Sequence, residues 1–329
     1  MDANFHKIAE HLVGRPVDRL MSCHSGRNSR VFKVVCGNDN FALKSYPPKD
    51  LGHRDRFGTE VEALKFYEDN CNPHTPRLLA VDITRGIALM EWIDGCLVNT
   101  PSPDDIDQAI DFIARTHAAE TKGGSAFGLA AEPCLCGADL DRHLALRLEE
   151  ISFVAQHEPE LSCFLIQELK GALESARNQA HGIDFFVPLS RHKQSLIPAD
   201  FGFHNAIKSV SGVVHFIDFE YFGWDDPVRL AADFLLHPGM VLDEKNQNRF
   251  RRGITNTFQA DEEFEQRLLH LLPLYGIRWV LILLNEFLPE RWQARVFAGE
   301  TSSWEEIKSA QLEKSRIALN KAIACLVTS

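Results

Sequence analysis

The composition of this chain turns from mostly strand-like to mostly helical at Asp94-Gly95, and that change restricts its folding more than any other feature. Upstream, apolar residues come in short strand-like runs. Val31-Phe32-Lys33-Val34-Val35 and Phe41-Ala42-Leu43-Lys44 read as strands joined by the turn Gly37-Asn38-Asp39-Asn40. A further strand starts near Leu20, and Asn4 to Val13 forms a short helix stopped by Gly14 and Pro16. His53 to Glu68 has Phe57, Val61 and Leu64 at helical spacing, and Arg77 to Val81 and Ile87 to Ile93 read as two strands around Thr84-Arg85-Gly86. Downstream, Pro103 to His117, Asp139 to Gln156 and Leu161 to Ala180 are helical, as is nearly everything after Leu230. Only Ser195-Leu196-Ile197 and Val213 to Phe219 interrupt with strand character. The pattern predicts an α+β chain with a small β-rich lobe over 1–94 and a large helical lobe over 95–329.

Charge narrows the partners. The net charge is −11, which argues against wholesale binding to nucleic acid. Residues 1–94 carry 13 acidic and 13 basic side chains, whereas 95–240 carry 21 and 10. The imbalance thus lies in the middle of the chain, mostly as a solvated acidic face. The eight cysteines are scattered, and Cys134 and Cys136 lack the spacing of a zinc knuckle. With no signal peptide at the start, reduced thiols and a cytoplasmic location are expected. The apolar run Trp279 to Leu284 is too short to span a bilayer, so no membrane partner is expected.

The most informative segment is Pro198-Ala199-Asp200-Phe201-Gly202-Phe203-His204-Asn205, followed by Phe216-Ile217-Asp218-Phe219. Phosphoryl transfer needs a carboxylate that orients the attacking hydroxyl and takes its proton, and oxygen ligands for a magnesium ion that bridges the phosphates. Asp200 suits the first role, and Asn205 and Asp218 suit the second. Taken singly, each is equally a capping or turn residue; the spacing makes them a set.

That strip resembles the catalytic loop and metal-binding strand of the aminoglycoside phosphotransferase and choline kinase family, in which the loop reads His-Gly-Asp-x-x-x-x-Asn with Ile-Asp-Phe beyond it. Gly223-Trp224-Asp225-Asp226-Pro227 resembles the family's Gly-Asp-Pro element, and the likeness makes Asp226 the aspartate that supports the loop. Two positions depart from the pattern. Pro198 stands where the family has histidine, and Arg229 stands where an acidic residue usually follows, with Asp233 further on. His204 is either a packing residue or one that orients its neighbours.

The resemblance runs from about Leu20 to Asp233 and implies a bilobal protein-kinase-like fold. Ser25-Gly26-Arg27-Asn28-Ser29 resembles a short phosphate-covering loop, with Ser25, Gly26, Asn28 and Ser29 as candidate contacts. Lys44, set among apolar residues in a strand, requires an anionic partner. By the likeness it holds the nucleotide phosphates and is itself held by Glu60, with Glu62 as the rival about 200° around the helix. Leu89 to Gly95 resembles the linker between lobes, with Glu91 and Ile93 offering backbone groups to the purine and Met90 limiting the pocket.

The expected activity is therefore phosphoryl transfer from ATP or another nucleoside triphosphate, with Mg2+, to a small-molecule hydroxyl. A protein kinase is excluded because Asp218 reaches Asp226-Pro227 in eight residues, leaving no room for an activation segment. A non-catalytic nucleotide-binding pseudokinase and a metal-dependent hydrolase remain as alternatives. Residues 241–300 carry 9 acidic and 8 basic side chains, and Tyr275 and Trp279 share a helical face. Those features favour a sugar or amino sugar; an aminoglycoside or a choline- or ethanolamine-type acceptor is the alternative.

Overall fold

Five of the short runs hydrogen-bond into one antiparallel sheet. The computed structural model describes residues 2–23, 29–47, 54–297 and 302–327. In chain order the elements are α1 (Asp2–Val13), β1 (Arg19–Cys23), β2 (Arg30–Cys36), β3 (Asp39–Ser45), α2 (Arg56–Asp69), β4 (Leu78–Asp82), β5 (Ile87–Glu91), β6 (Gly95–Leu97) and α3 (Pro103–Ala119). These are followed by α4 (Gly137–Ala155), α5 (Pro159–Phe164), α6 (Lys170–Ala180), β7 (Ser195–Ile197), β8 (Ala206–Ser209), β9 (Val214–Phe216) and β10 (Gly223–Asp225). Five helices complete the chain: α7 (Pro227–Leu236), α8 (Glu244–Thr257), α9 (Phe264–Leu284), α10 (Pro289–Phe297) and α11 (Trp304–Ile323). The predicted elements are present to within a few residues. The helix expected over 161–180 is interrupted by a π-turn at Leu165–Leu169. β6, β8 and β10 were not anticipated, because three or four residues are too few to establish a period of two.

The chain forms two compact units, Met1–Ala131 with Phe203–Gly223, and Glu132–Gly202 with Trp224–Ser329. The boundary expected at residue 94 falls inside the first unit. The physical reason is the sheet β6-β8-β9: β6 pairs with β8 through Gly95↔Ser209 and Leu97↔Ile207, and β8 with β9. Helix α3 locks that sheet. Gln108 donates to the Gly212 carbonyl (3.0 Å) and accepts from the Val214 amide (2.8 Å), and Lys208 pairs with Asp105 at 2.7 Å.

In the first unit the five-stranded sheet runs β1-β2-β3-β5-β4. Strand alternation sorts its side chains. Phe32, Val34, Leu43 and Leu89 join Ile8 and Ala9 of α1 in one cluster. Ala88 and Tyr46 instead meet Val61 of α2 in another. An aromatic cluster lies beyond: Tyr67 contacts Phe112 (5.3 Å between centroids) and Phe219 (5.0 Å), and Phe127 contacts Phe222 (4.9 Å). Such pairs contribute about 0.5–1.5 kcal/mol each beyond their buried area.

In the second unit α9 is the axis, flanked by α4, α6, α7 and α11. The segment Phe264–Phe287 is, by length and composition, apolar enough to cross a membrane, longer than the run Trp279–Leu284 suggests. Its most apolar window is 72% buried inside the protein, as a core helix requires.

Gly95 supplies a test. A Cβ there meets the Lys208 carbonyl oxygen at 2.1 Å and carbon at 2.7 Å, both backbone atoms that cannot rotate away. Gly95→Ala is expected to destabilise the protein by about 1–3 kcal/mol, the range for overpacking. Thermal unfolding checks it against Gly171→Ala, whose Cβ meets nothing within 4 Å; equal midpoints would refute the tight β6–β8 approach.

Candidate functional site

Lys44 lies in β3 opposite Ala88 and therefore on the sheet face that α2 covers. It is 5% exposed, and an ammonium so placed needs charged partners. Glu60, the only glutamate of α2 that is buried, supplies one: its Oε2 accepts from Lys44 Nζ at 2.6 Å and from the Tyr46 hydroxyl at 2.7 Å. Asp218 Oδ1 supplies the second, also at 2.6 Å. Glu62 points to solvent and pairs with Lys65. Burial opposes the charge on Lys44, but Glu60, then Asp218 and Glu220, outweigh it and raise its pKa. Glu220 was not anticipated. Its carboxylate is 1% exposed and pairs with Arg56 at 3.2 Å. Burial, reinforced by the charge of Asp218, pushes its carboxyl up. The available signal was its place two residues beyond Asp218.

Asn205 and Asp218 are brought together by a hairpin. The β8–β9 ladder pairs Ala206 with Phe216 and extends one step further, where the Ile217 amide donates to the Asn205 carbonyl at 2.9 Å. Asp218 follows with φ +71°, and its neighbour Phe219 is held in the aromatic cluster. Asn205, Asp218 and Glu220 are all oxygen donors, a set suited to a hard divalent cation such as Mg2+. Glu60, Asp218 and Glu220 present carboxylate oxygens within 4.8 Å of one another, enough to hold such an ion.

Asp200 belongs to the second unit. It follows β7 and the buried Pro198 and Ala199, and has φ +69°. Four described residues other than glycine have positive φ, and Asp200 and Asp218 are two of them. Strain of this kind costs on the order of 1–3 kcal/mol and persists where the surroundings over-determine it. Here the Asp200 amide faces Asp233 Oδ2 at 3.4 Å. Asp226, expected to support this loop, instead caps α7 through the Val228 amide and accepts twice from Arg267. Asp233 is about two helical turns further along α7, on the side that meets Asp200. Arg229, the second departure from the expected pattern, is buried and donates to Asp225 at 2.8 Å and to the Glu132 carbonyl at 3.0 Å.

The remaining candidates are placed as follows. Ser25, Gly26 and Asn28 lie outside the described residues; Ser29 precedes β2 directly. Met90 is buried in β5 and Ile93 is buried just beyond it. The Glu91 amide donates to the Arg77 carbonyl at 2.9 Å, so what Glu91 can offer a purine edge is its carbonyl. The aromatic platform expected from Tyr275 and Trp279 is not formed. Tyr275 is 1% exposed and Trp279 7%, because the stretch 271–281 of α9 runs through the core and is buried at every residue.

A model described as the phosphotransferase enzyme family, APH, matches residues 20–270. No curated protein matches the sequence. Among solved structures, the choline kinase LicA from Streptococcus pneumoniae superposes with TM-score 0.59 at 15% identity, covering 97% of this chain and 99% of that one. The macrolide 2′-phosphotransferase MphH from Brachybacterium faecium gives 0.59 at 12%, covering 97% and 98%. A spectinomycin phosphotransferase in complex with ADP and spectinomycin gives 0.56 at 9%, covering 95% and 98%. These likenesses establish the protein-kinase-like fold.

Two predictions follow from the charges. Glu60→Ala leaves Lys44 short of a buried partner and is expected to cost about 3 kcal/mol, the low end for breaking a buried pair because Asp218 remains. Glu62→Ala is expected to change urea unfolding by less than about 0.5 kcal/mol, and similar losses in both variants would refute the pairing. In the second unit Glu132 is partly exposed. Loss of water raises its pKa, but Arg147 and then Arg278 outweigh that and hold it at about 2, below the ordinary 4.5. A depressed carboxyl stabilises the fold above its unfolded pKa and ceases to as pH falls through the folded one. The stability gap between parent and Glu132→Gln should therefore be full above pH 4.5 and close toward pH 2. Acid titration of the unfolding midpoint measures it; a gap independent of pH would refute the arginine pairing.

Proposed function

The chain belongs to the phosphotransferase enzyme family, and from that premise we propose that it transfers the γ-phosphoryl group of Mg-ATP to a hydroxyl of a small molecule. The observation that carries the reading is Lys44, whose ammonium is bonded at 2.6 Å to both Glu60 and Asp218. That arrangement pre-orients a buried cation for phosphate oxygens and links it to a carboxylate suited to the metal. Asn205 and Asp218 are the proposed ligands of Mg2+, which when bound offsets the charge of the phosphates. Lys44 binds phosphate oxygens, and Glu60 and Tyr46 fix its position. The Glu91 carbonyl and the Ile93 amide meet the purine, with Met90 at the back of its pocket, and Ser25, Gly26, Asn28 and Ser29 cover the phosphates.

Asp200 is the proposed base. It accepts the proton of the acceptor hydroxyl as that oxygen bonds to the γ-phosphorus. The bond from phosphorus to the β–γ bridging oxygen breaks, and its electron pair leaves with the diphosphate. Retention of Asp200, Asn205, Asp218 and Lys44 together speaks against a non-catalytic nucleotide-binding protein.

For the acceptor we propose a hydroxyl on a sugar or amino sugar, supported by the near-neutral balance of residues 241–300. A cationic acceptor is the second reading, and a specific observation favours it. Arg267, Arg278 and Arg295 are each engaged by carboxylates of their own unit, Asp226 with Asp261, Glu132, and Glu286 respectively, so they are not placed to repel a cation. The choline kinase and spectinomycin phosphotransferase neighbours fit that alternative.

Asp200→Asn should lower turnover on the order of 10²–10⁴-fold while nucleotide binding survives. Asp218→Ala should abolish the magnesium-dependent part of nucleotide affinity, measured by calorimetry with and without Mg2+. Near-normal turnover in the first variant, or metal-supported binding in the second, would overturn the assignments. ADP release across sugars, amino sugars, choline and aminoglycosides at two ionic strengths decides the acceptor. Turnover confined to cations and falling with salt would replace the sugar reading.

A further inference from the structure

The last turn of α7 carries two groups directed at Asp200. Asp233 faces its backbone amide at 3.4 Å, and four residues later, on the same helical face, His237 places Nε2 at 3.6 Å from its carboxylate Oδ1. The position of His237 follows from its neighbours in the chain. Pro238 disfavours helical backbone in the residue before it, and His237 accordingly leaves the helix at ψ 132° while its amide still donates to the Asp233 carbonyl at 2.9 Å. The chain then turns back, so that the Gly239 amide donates to His237 Nδ1 at 3.0 Å. With Nδ1 accepting, the ring proton sits on Nε2, the atom that faces Asp200. The Trp279 ring packs edge-to-face against the imidazole, 4.3 Å between centroids at 87°. The ring is therefore fixed in place, in rotation and in tautomer.

Resting on the assignment of Asp200 as base, we propose that His237 is its positioning residue. A separation of 3.6 Å is longer than a formed hydrogen bond. Contacts of this kind tighten when a site is occupied, and a small rotation of the Asp200 carboxylate brings Oδ1 within range of Nε2–H. Once donated to, Oδ1 fixes the rotation of the carboxylate about its Cβ–Cγ bond. The second oxygen is then presented to the acceptor hydroxyl in one orientation. Asp233 and His237 together hold the main chain and the side chain of one strained residue from a single helix end. The loop of this chain has Pro198 two residues before Asp200, a side chain with no hydrogen to donate, so the orienting donor comes from α7 instead.

The test compares His237→Leu with His237→Gln, whose amide keeps an N–H donor near the position of Nε2. The readout is ADP release from Mg-ATP with water, N-acetylglucosamine, choline and kanamycin as acceptors. His237→Leu is expected to lower kcat about 10- to 100-fold, the cost of a misoriented reacting group, with the nucleotide KM unchanged. His237→Gln is expected to recover most of that loss. On an Asp200→Asn background His237→Leu should cost nothing further, because its effect passes through the carboxylate. Equal impairment of Leu and Gln variants, or a full additional loss on Asp200→Asn, overturns the proposal. A second measurement needs no turnover: in isotope-labelled protein with Mg-ADP, the His237 Nε2–H resonance should move on Asp200→Asn, and an unmoved resonance overturns the proposal. Asp200→Asn turning over at the parental rate would instead sink the base assignment, leaving the resonance to judge the His237–Asp200 contact itself.

Discussion

An ammonium taken out of water must be met by negative charge, and the first unit is arranged around that demand at Lys44. Strand alternation turns Lys44 toward α2, so α2 must present a carboxylate at that height, and Glu60 does. A second carboxylate has to arrive from 174 residues further along the chain, at Asp218. Its delivery depends on the β8–β9 hairpin, on the contacts of α3 with that hairpin, and on the seating of Phe219 among Tyr67 and Phe112. One buried cation thus ties together the sheet, α2, α3 and the hairpin. Because ion pairs in a low dielectric are sensitive to geometry, each of these elements has little freedom to shift.

Both aspartates central to the proposed chemistry occupy left-handed backbone, and each is held by different means. Asp218 is fixed by its own side chain, through Lys44, and by the aromatic neighbour that follows it. Asp200 is held through the end of α7. In each case the surrounding contacts compensate for a conformation that an ordinary residue avoids, and the carboxylate gains a defined direction.

The second unit meets its buried charges by chaining them. Arg229 joins Asp225 and lies 3.9 Å from Asp233, Arg278 joins Glu132 and lies 3.8 Å from Asp233, and Glu132 also binds Arg147. The arginine at 229, which departs from the expected motif, is a member of this network and has no need of the acidic residue it replaces. Both arginines of α9 are engaged by carboxylates, Arg278 within this network and Arg267 by Asp226 and Asp261.

The sequence alone determined the kind of most elements, since strand-like runs dominate before residue 94 and helical periods after it, and it singled out Asp200, Asn205 and Asp218 as candidates by their spacing. Helix geometry showed that Glu60 and Glu62 cannot both face Lys44, the family resemblance chose Glu60, and the Lys44–Glu60 bond agrees with that choice. Other features could be decided only by the tertiary structure. Strands of three or four residues, such as β6 and β8, carry no period of their own and exist through the partner they bond, which is why the compact units do not part at 94. Burial of Tyr275 depends on residues 271–281 of α9 being covered on every side, and apolar periodicity along one helix says nothing about how many neighbours surround it. Glu220, Asp233 and His237 acquire their relation to Lys44 and Asp200 through contacts between segments distant in the chain or set by the end of a helix. A carboxylate or an imidazole has the same letter in the sequence whether water or a lysine stands beside it, and only the fold decides which.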